Sequence, residues 1–407
     1  MLLTVLKALP ERMRSRYYRI DYYLSALYEY IRHLLQGGNI SNRLHRYFGS
    51  SSAIAAVCDP ARLALFVAFH PGREVPQSNL NYLDALQKCG FRIVYIHNGP
   101  LEIDVVDSLS AYCERVFCRQ NIGQDFGAWK DGYLYLRQDG LLDNIEWLLM
   151  CNDSNFFLGG INGERFVADF SDELRRKQVD LIALSKNYEL WQHYQSFFLC
   201  YGRRIFASDK FADFWHRYKP LSHRYHAINN GEIALTRDVL ADARPWILYR
   251  SSDVMECVAR IIEDPAFFYC CLPQSAMYLA PRGMKCRSID ILQLQRITAL
   301  LDYHNPSRVY ALLFVAYLQS PFLKKDLFRS GVFALSQINS VLSSLGIDGD
   351  SDTLLREILC HHESGGSNIG YINYPKSAFR QGISCVANVY TGHGEALEGL
   401  GVSRLKS

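Results

Sequence analysis

The sequence predicts an α/β protein, a mostly parallel sheet covered by helices, with helical additions at both ends. Two observations carry that prediction. From residue 62 onward, short apolar runs of strand length alternate with helical stretches, the order that builds a parallel sheet with both faces covered. In addition, polar residues stand where the apolar runs stop: His70, Asn98 and Asn152-Asp153-Ser154. In a parallel sheet such ends share one edge, and ligands gather beyond it.

The elements follow in order. RLALFVAFHP (62–71) reads as a buried strand, QSNLNYLDALQKCG (77–90) as a helix stopped by Gly90, and FRIVYIHNG (91–99) as the next strand. EIDVVDSLSAYC (102–113) reads as a helix, and ERVFCRQN (114–121) as a third strand. The segment NIGQDFGAWKDGYLYL (121–136) follows, its helix expected over 127–140. IEWLLMCNDS (145–154) is a fourth strand that breaks off sharply. DELRRKQ (172–178) leads to the short strand VDLIALS (179–185). HYQSFFLCYGRRIF (193–206) reads as a further strand, SDKFADFWHRY (208–218) as a helix, and about 305–342 as helix with breaks. The expected organisation is a helical region over 1–50, a sheet domain over 60–300, a helical extension over 301–345 and a weakly ordered Gly/Ser-containing tail over 346–407.

Composition narrows the class of protein. With 49% apolar and 21% charged residues, the 407-residue chain is globular and long enough for one large domain with additions. A net charge of only +3 gives no general reason to expect nucleic-acid binding. The charge is uneven: residues 1–50 carry eight Lys and Arg against three Asp and Glu, so the remainder is slightly acidic. A basic, Tyr- and Leu-rich helix at 1–36 suits an anionic membrane surface, or equally the side of its own domain. The twelve Cys show no CxxC pair and no zinc-finger spacing, which favours a reducing cytoplasm. No apolar run reaches the length of a membrane span.

Several residues are candidates for chemistry, each with a plainer alternative. Asp153, flanked by Asn152 and Ser154, offers oxygen ligands suited to Mg²⁺ or Mn²⁺ shared with a diphosphate; the same trio also suits a cap on the next segment. Asp125 suits either a helix cap or a contact to a ribose or sugar hydroxyl, with Gly123 and Gly127 allowing close backbone approach. Asn121 and Phe126 complete that loop. His70 and Asn98 join it on the strand-end edge. His193, Gln195 and Ser196 line an acceptor pocket or satisfy an edge strand. Glu232 in NGEIALTRDVL is a general base or a solvated surface residue.

The segments LALFVAFHPGREVPQSNLNYLDALQKCGFRIVYIHN, NIGQDFGAWKDGYL, LLMCNDSNFFLG, HYQSFFLCYGRRIFASDKFADFW, NGEIALTRDVL and NPSRVYALLFVAYLQSPFLKKDLFR resemble, in order, the rhamnan synthesis F family of bacterial polysaccharide biosynthesis. Together they cover about residues 62–330. The resemblance implies a glycosyltransferase with a GT-A-like fold. Such an enzyme moves a sugar, with dTDP-rhamnose the favoured donor, to a lipid-linked glycan of an O-antigen or cell-surface polysaccharide. It also implies Asp153 as metal and diphosphate ligand, Asp125 and its neighbours at the donor, and Glu232 as base of an inverting reaction. The sequence has one carboxylate in NDS where GT-A motifs carry two. Arg203, Arg204, Lys324 and Lys325 then become candidates to neutralise phosphate, and the bacterial cytoplasm, at the inner membrane face, the expected location. The alternatives are a non-catalytic subunit that binds glycan or nucleotide sugar, or a transferase for another sugar such as fucose.

Overall fold

The computed structural model of the chain describes residues 45–48, 58–176, 178–188, 191–274, 289–302, 304–327 and 332–346, with single residues at 23, 24, 27, 28, 31, 276 and 357. The fold divides into two compact units. One comprises 1–157 and 163–248, the other 158–162 and 249–407.

The first unit is built on an eight-stranded sheet. In chain order its strands are β1 (His45–Phe48), β2 (Arg62–Ala68), β3 (Arg92–Asn98), β4 (Arg115–Arg119), β5 (Trp147–Asn152), β7 (Leu181–Ala183), β10 (Phe198–Gly202) and β11 (Pro245–Ile247). The short β6 (Asn155–Phe157) and the hairpin strands β8 (Lys186–Asn187) and β9 (His193–Tyr194) lie outside it. Across the sheet the order is β1-β4-β3-β2-β5-β10-β7-β11. Neighbours β4, β3, β2 and β5 are parallel, as are β7 and β11. The sheet is thus the mostly parallel, helix-covered arrangement that the sequence predicts.

Helices α1 (Gln77–Lys88), α2 (Ile103–Leu109) and α3 (Gln124–Gln138) make the crossovers between successive parallel strands. The two-residue period of β2 sets its two faces. Leu63, Leu65 and Val67 join the core containing Trp129 and Tyr133 of α3. Phe66, pointing the other way, meets Tyr82 of α1 edge-on at 5.2 Å. Beneath α3 the core is aromatic, with Phe126 and Trp129 joined by Phe211, Trp215 and Tyr218.

Some details depart from the sequence reading. The stretch 193–206 is not one strand: it splits into β9, β10 and a short helical turn at Arg203–Phe206. Moreover β10 runs antiparallel to both neighbours, pairing Phe198 with Cys151 and Leu199 with Ala183. A central strand buried on both faces shows the same unbroken apolar run in either direction, so its polarity is not written locally. Residues 45–48, expected to be helical, form β1 antiparallel to β4, where they cover an otherwise open edge. Helix α3 starts at Gln124, three residues before its expected start.

The second unit is largely helical. Its helices are Ser251–Glu256, Val258–Glu263, Pro265–Cys270, Ile291–Leu301, Pro306–Val309, Ala311–Tyr317 and Leu335–Ser344, with a strand at Phe322–Lys324. Side chains tie it together through backbone carbonyls. Arg260 donates to Ala316 O and Tyr317 O, both at 3.2 Å, and Gln337 donates to Cys270 O and Leu272 O, both at 2.9 Å. Residues 249–300, read with the sheet domain, belong here, because the last sheet strand ends at Ile247. The expected tail lies outside the described residues apart from Gly346 and Glu357, and the N-terminal helix outside them apart from five helical residues.

Candidate functional site

From β2 the chain adds β3 and then β4 on one side and later β5 on the other, so strand order reverses between β2 and β5. Crevices beyond the carboxyl ends at such a reversal are where open α/β sheets bind ligands. Asp153 sits there. Its amide donates to Val67 O at 3.0 Å, and its Oδ2 accepts from the amide of Phe69 at 3.2 Å. The carboxylate is therefore clamped across the ends of both strands.

Asn152 forms the bridge to the neighbouring loop. Its Oδ1 accepts from the Ser154 amide at 3.1 Å and the Ser154 hydroxyl at 2.7 Å, closing a tight turn. Its Nδ2 donates to Asp125 Oδ2 at 2.7 Å. Two polar residues from separate motifs are thus in direct contact. Asp125 is not the helix cap. Gly123 holds that position at φ 72°, and Asp125 lies in the first turn of α3. There its carboxyl faces inward instead of closing the helix end. The left-handed backbone continues at Gln124, with φ 51°, a costly conformation for a residue with a side chain.

Buried contacts lock this strained loop. Gly123 donates its amide to Ser222 Oγ at 2.9 Å, and a Cβ added to it would lie 2.4 Å from Pro220 Cβ. Lys130 anchors the opposing segment by donating to His216 O at 3.1 Å and Tyr218 O at 2.5 Å. Arg119, fully buried, donates to Ile122 O at 2.7 Å, Asn98 Oδ1 at 2.6 Å and Asp131 Oδ2 at 2.8 Å.

Glu232 approaches from a π-helical turn, Ala227–Ile233, between the helical turns Arg224–His226 and Ala234–Asp238. Such widened turns recur at functional sites because the extra residue re-aims a side chain. The turn is seated on the Asp125 loop: Gly231 lies against the Phe126 ring, 2.8 Å from where its Cβ would be. Glu232 Oε1 accepts from the Ser196 hydroxyl at 2.5 Å and the Ser196 amide at 3.3 Å. Its Oε2 stands 3.6 Å from His193 Nε2. His193 Nδ1 meets the Trp191 carbonyl at 2.6 Å, and a carbonyl only accepts, so Nδ1 carries the proton. Nε2 and Glu232 therefore attract each other only when a further proton lies between them.

The Asp125 carboxyl is shifted by its surroundings. Burial, and after it the Asp153 charge, pushes the Asp125 carboxyl up to about 7; Glu232 pushes the same way, against the Asn152 hydrogen bond and the Arg119 charge. A half-buried acid holding its proton toward neutrality is a signal for a candidate functional site. Because the folded value lies above the unfolded one, folding binds the proton, and stability falls as pH rises from about 4 to about 7. Asp125→Asn should flatten that decline by on the order of 2–4 kcal/mol, read from denaturant midpoints of both proteins across this range.

The other candidates have defined places. His70 is half-buried, its Nδ1 accepting from the Gly72 amide at 3.1 Å and its Nε2 3.0 Å from Tyr95 Oη. Asn98 is buried and engaged by Arg119. Asn121 is exposed at the start of the loop. Phe126 belongs to the aromatic core, and Gly127 lies beneath the Ile122 carbonyl. Gln195 is buried, its amide donating to Ser185 O at 3.1 Å. Arg203 is tied to the carbonyls of Asp143 and Ile145, and Arg204 is paired with Asp180. Lys324 and Lys325 lie in the second unit. Sequence reading passed over Arg119, Asp131, Tyr95 and His97. A charged residue closing the apolar run RVFCR was the available signal for Arg119.

Residues 93–269 match the family model of rhamnan synthesis protein F. The matched span contains Asn98, the Asp125 loop, Asp153, Ser196 and Glu232. An uncharacterized protein of Sinorhizobium fredii (strain NBRC 101917 / NGR234), y4gN, is 27% identical over 206 residues, covering 49% of this chain and 52% of its own. The chain thus spans about half the length of that relative. Among solved structures, the glycosyltransferase GlyE of Streptococcus pneumoniae TIGR4 superposes with a TM-score of 0.29 at 10% identity, over 59% of this chain and 60% of its own. The 4-diphosphocytidyl-2C-methyl-D-erythritolsynthase of Anaerococcus prevotii DSM 20548 gives 0.28 at 12% identity, over 44% and 85%.

Proposed function

We propose that the protein is a glycosyltransferase of polysaccharide synthesis that moves a sugar, rhamnose in the favoured case, from a nucleoside diphosphate to a glycan hydroxyl. One observation carries this reading: Asp125, bonded to Asn152, and the adjacent Asp153 stand beyond the strand ends where the sheet order reverses, with Glu232 near enough for its charge to act on Asp125. The family match over 93–269 supports it.

In this reading the donor lies over the β2–β5 crevice. Asp125, keeping its proton near neutrality, donates a hydrogen bond to a donor oxygen. Glu232 takes the proton of the acceptor hydroxyl as that oxygen attacks the anomeric carbon. The bond from that carbon to the diphosphate breaks with its electron pair leaving on the phosphate oxygen, and a single displacement inverts the configuration. Ser196 holds Glu232 Oε1 in place, leaving Oε2, beside His193, to face the acceptor.

Among the described residues no three His, Cys, Asp or Glu side chains stand together as a ready cation cage. The oxygens of Asp153 fit a hard cation that takes its remaining ligands from diphosphate and water. Such an ion would offset charge on the leaving diphosphate. The deciding experiment is a panel of nucleotide sugars with a short lipid-linked or synthetic acceptor, run with and without EDTA. Transfer from one donor is expected, with chelation lowering the rate; a purified protein that turns over no donor defeats the enzyme reading and favours a binding subunit.

No helix among the described residues is long and apolar enough to cross a membrane. Tyr23, Leu24, Leu27, Tyr28 and Ile31 are helical and exposed, at the spacing of one helix face. With the basic residues around them they support surface contact with anionic lipid, on the side where a lipid-linked acceptor is presented. Deleting residues 1–36 should abolish sedimentation with anionic vesicles; unchanged sedimentation would overturn this.

A further inference from the structure

The first unit keeps two large aromatic side chains in water beside the candidate base. Tyr188 is 57% and Trp191 61% exposed, whereas Trp129, Trp147 and Trp215 are all at 5% or less. Both sit at the turn end of the β8–β9 hairpin, whose strands pair Lys186 with Tyr194 and Asn187 with His193. Several contacts hold the hairpin. Tyr194 donates its amide to Thr236 Oγ1 at 3.2 Å, Gln195 donates to Ser185 O, and the Lys186 ammonium lies 5.4 Å from the Tyr188 ring centroid and 5.5 Å from that of Tyr194. The ammonium thereby steadies the Tyr188 ring.

Trp191 is joined directly to the chemistry: its carbonyl accepts from His193, which faces Glu232. Asp125, Asn152 and Asp153, assigned to the donor, stand at the strand ends. The exposed rings therefore belong to the side of the base, where the attacking hydroxyl must come from.

We propose that Tyr188 and Trp191 form an aromatic platform for a pyranose ring of the acceptor glycan, presenting one of its hydroxyls to Glu232. This rests on the reading of Glu232 as base. A pyranose has a flat face of C–H groups bordered by hydroxyls. That face covers exposed aromatic carbon, while the border meets the carboxylate, imidazole and hydroxyl of Glu232, His193 and Ser196. A hairpin already ordered by pairing loses little freedom on binding, so ring contact converts efficiently into affinity.

The test uses the full chain and a panel of neutral pyranose oligosaccharides, rhamnose-, glucose- and galactose-based. In the absence of donor, an oligosaccharide that binds should alter tryptophan emission, because three of the other tryptophans are enclosed. Trp191→Ala should abolish that signal and raise the acceptor KM about tenfold or more, the effect of losing one ring face. Trp191→Phe should fall between wild type and Trp191→Ala, and Tyr188→Ala should raise the acceptor KM without moving the donor KM. An acceptor KM unchanged in both alanine variants, a donor KM rising in step, or an active wild type that binds no oligosaccharide would each overturn the platform. A wild type that binds oligosaccharide through Trp191 but turns over no donor would leave the platform standing and defeat the enzymatic reading.

Discussion

Glu232→Gln is expected to slow sugar transfer by about 10²–10⁴-fold, the usual worth of a positioned general base. The substitution is nearly isosteric. The amide oxygen still accepts from the Ser196 hydroxyl and amide, so the π-helical turn keeps its seat. What is lost is the capacity to take a proton. The loss should therefore fall on kcat, with donor affinity preserved, because the donor is assigned to the Asp125–Asp153 side. Transfer kinetics with the best donor, beside direct binding of that donor, separate the two. Near-wild-type kcat in Glu232→Gln would remove Glu232 from the mechanism. Glu232→Asp tests position: it keeps the charge but draws it back by one methylene, so activity between those of wild type and Glu232→Gln is expected.

The second large effect is on stability. Arg119→Ala leaves Asp131, buried on α3, without its guanidinium, and such half-broken pairs cost about 3–5 kcal/mol. The same guanidinium holds Ile122 O and Asn98, so the Asp125 loop loses its underside as well. Denaturant unfolding should show the loss, and donor binding should weaken in the protein that remains folded. The double variant Arg119→Ala/Asp131→Ala should recover part of the stability, because the stranded charge is gone, but not the donor affinity. A single-variant loss of less than about 1 kcal/mol would contradict a buried, mutually dependent pair.

Much of this architecture is legible along the chain. The runs RLALFVA, RIVYIHN and WLLMCN are strands where expected, and the polar residues that end them lie on one sheet edge. The intervening helices are legible for the same reason, since burial of a strand or a helix face imposes its period on local sequence. Glu232 is harder. NGEIALTRDVL reads as an ordinary helix, and nothing in it announces a widened turn. Within that turn Gly231 lies against Phe126, more than a hundred residues earlier in the chain, a contact that no local pattern shows. Asp125 reads as a cap because Asp before a helix commonly is one; Gly123 takes the cap and turns the carboxyl toward Asn152.

Local sequence is therefore enough for the strands and helices from β2 to β5, their alternation and the parallel core of the sheet, since apolar period and turn residues act over a few neighbours. It is also enough to nominate Asp125, Asp153 and Glu232. Their relative placement is a property of the folded chain alone. Strand order, the reversed direction of β10, the buried Arg119–Asp131 pair and the acid that keeps its proton all depend on contacts between distant segments, where burial and charge act through space.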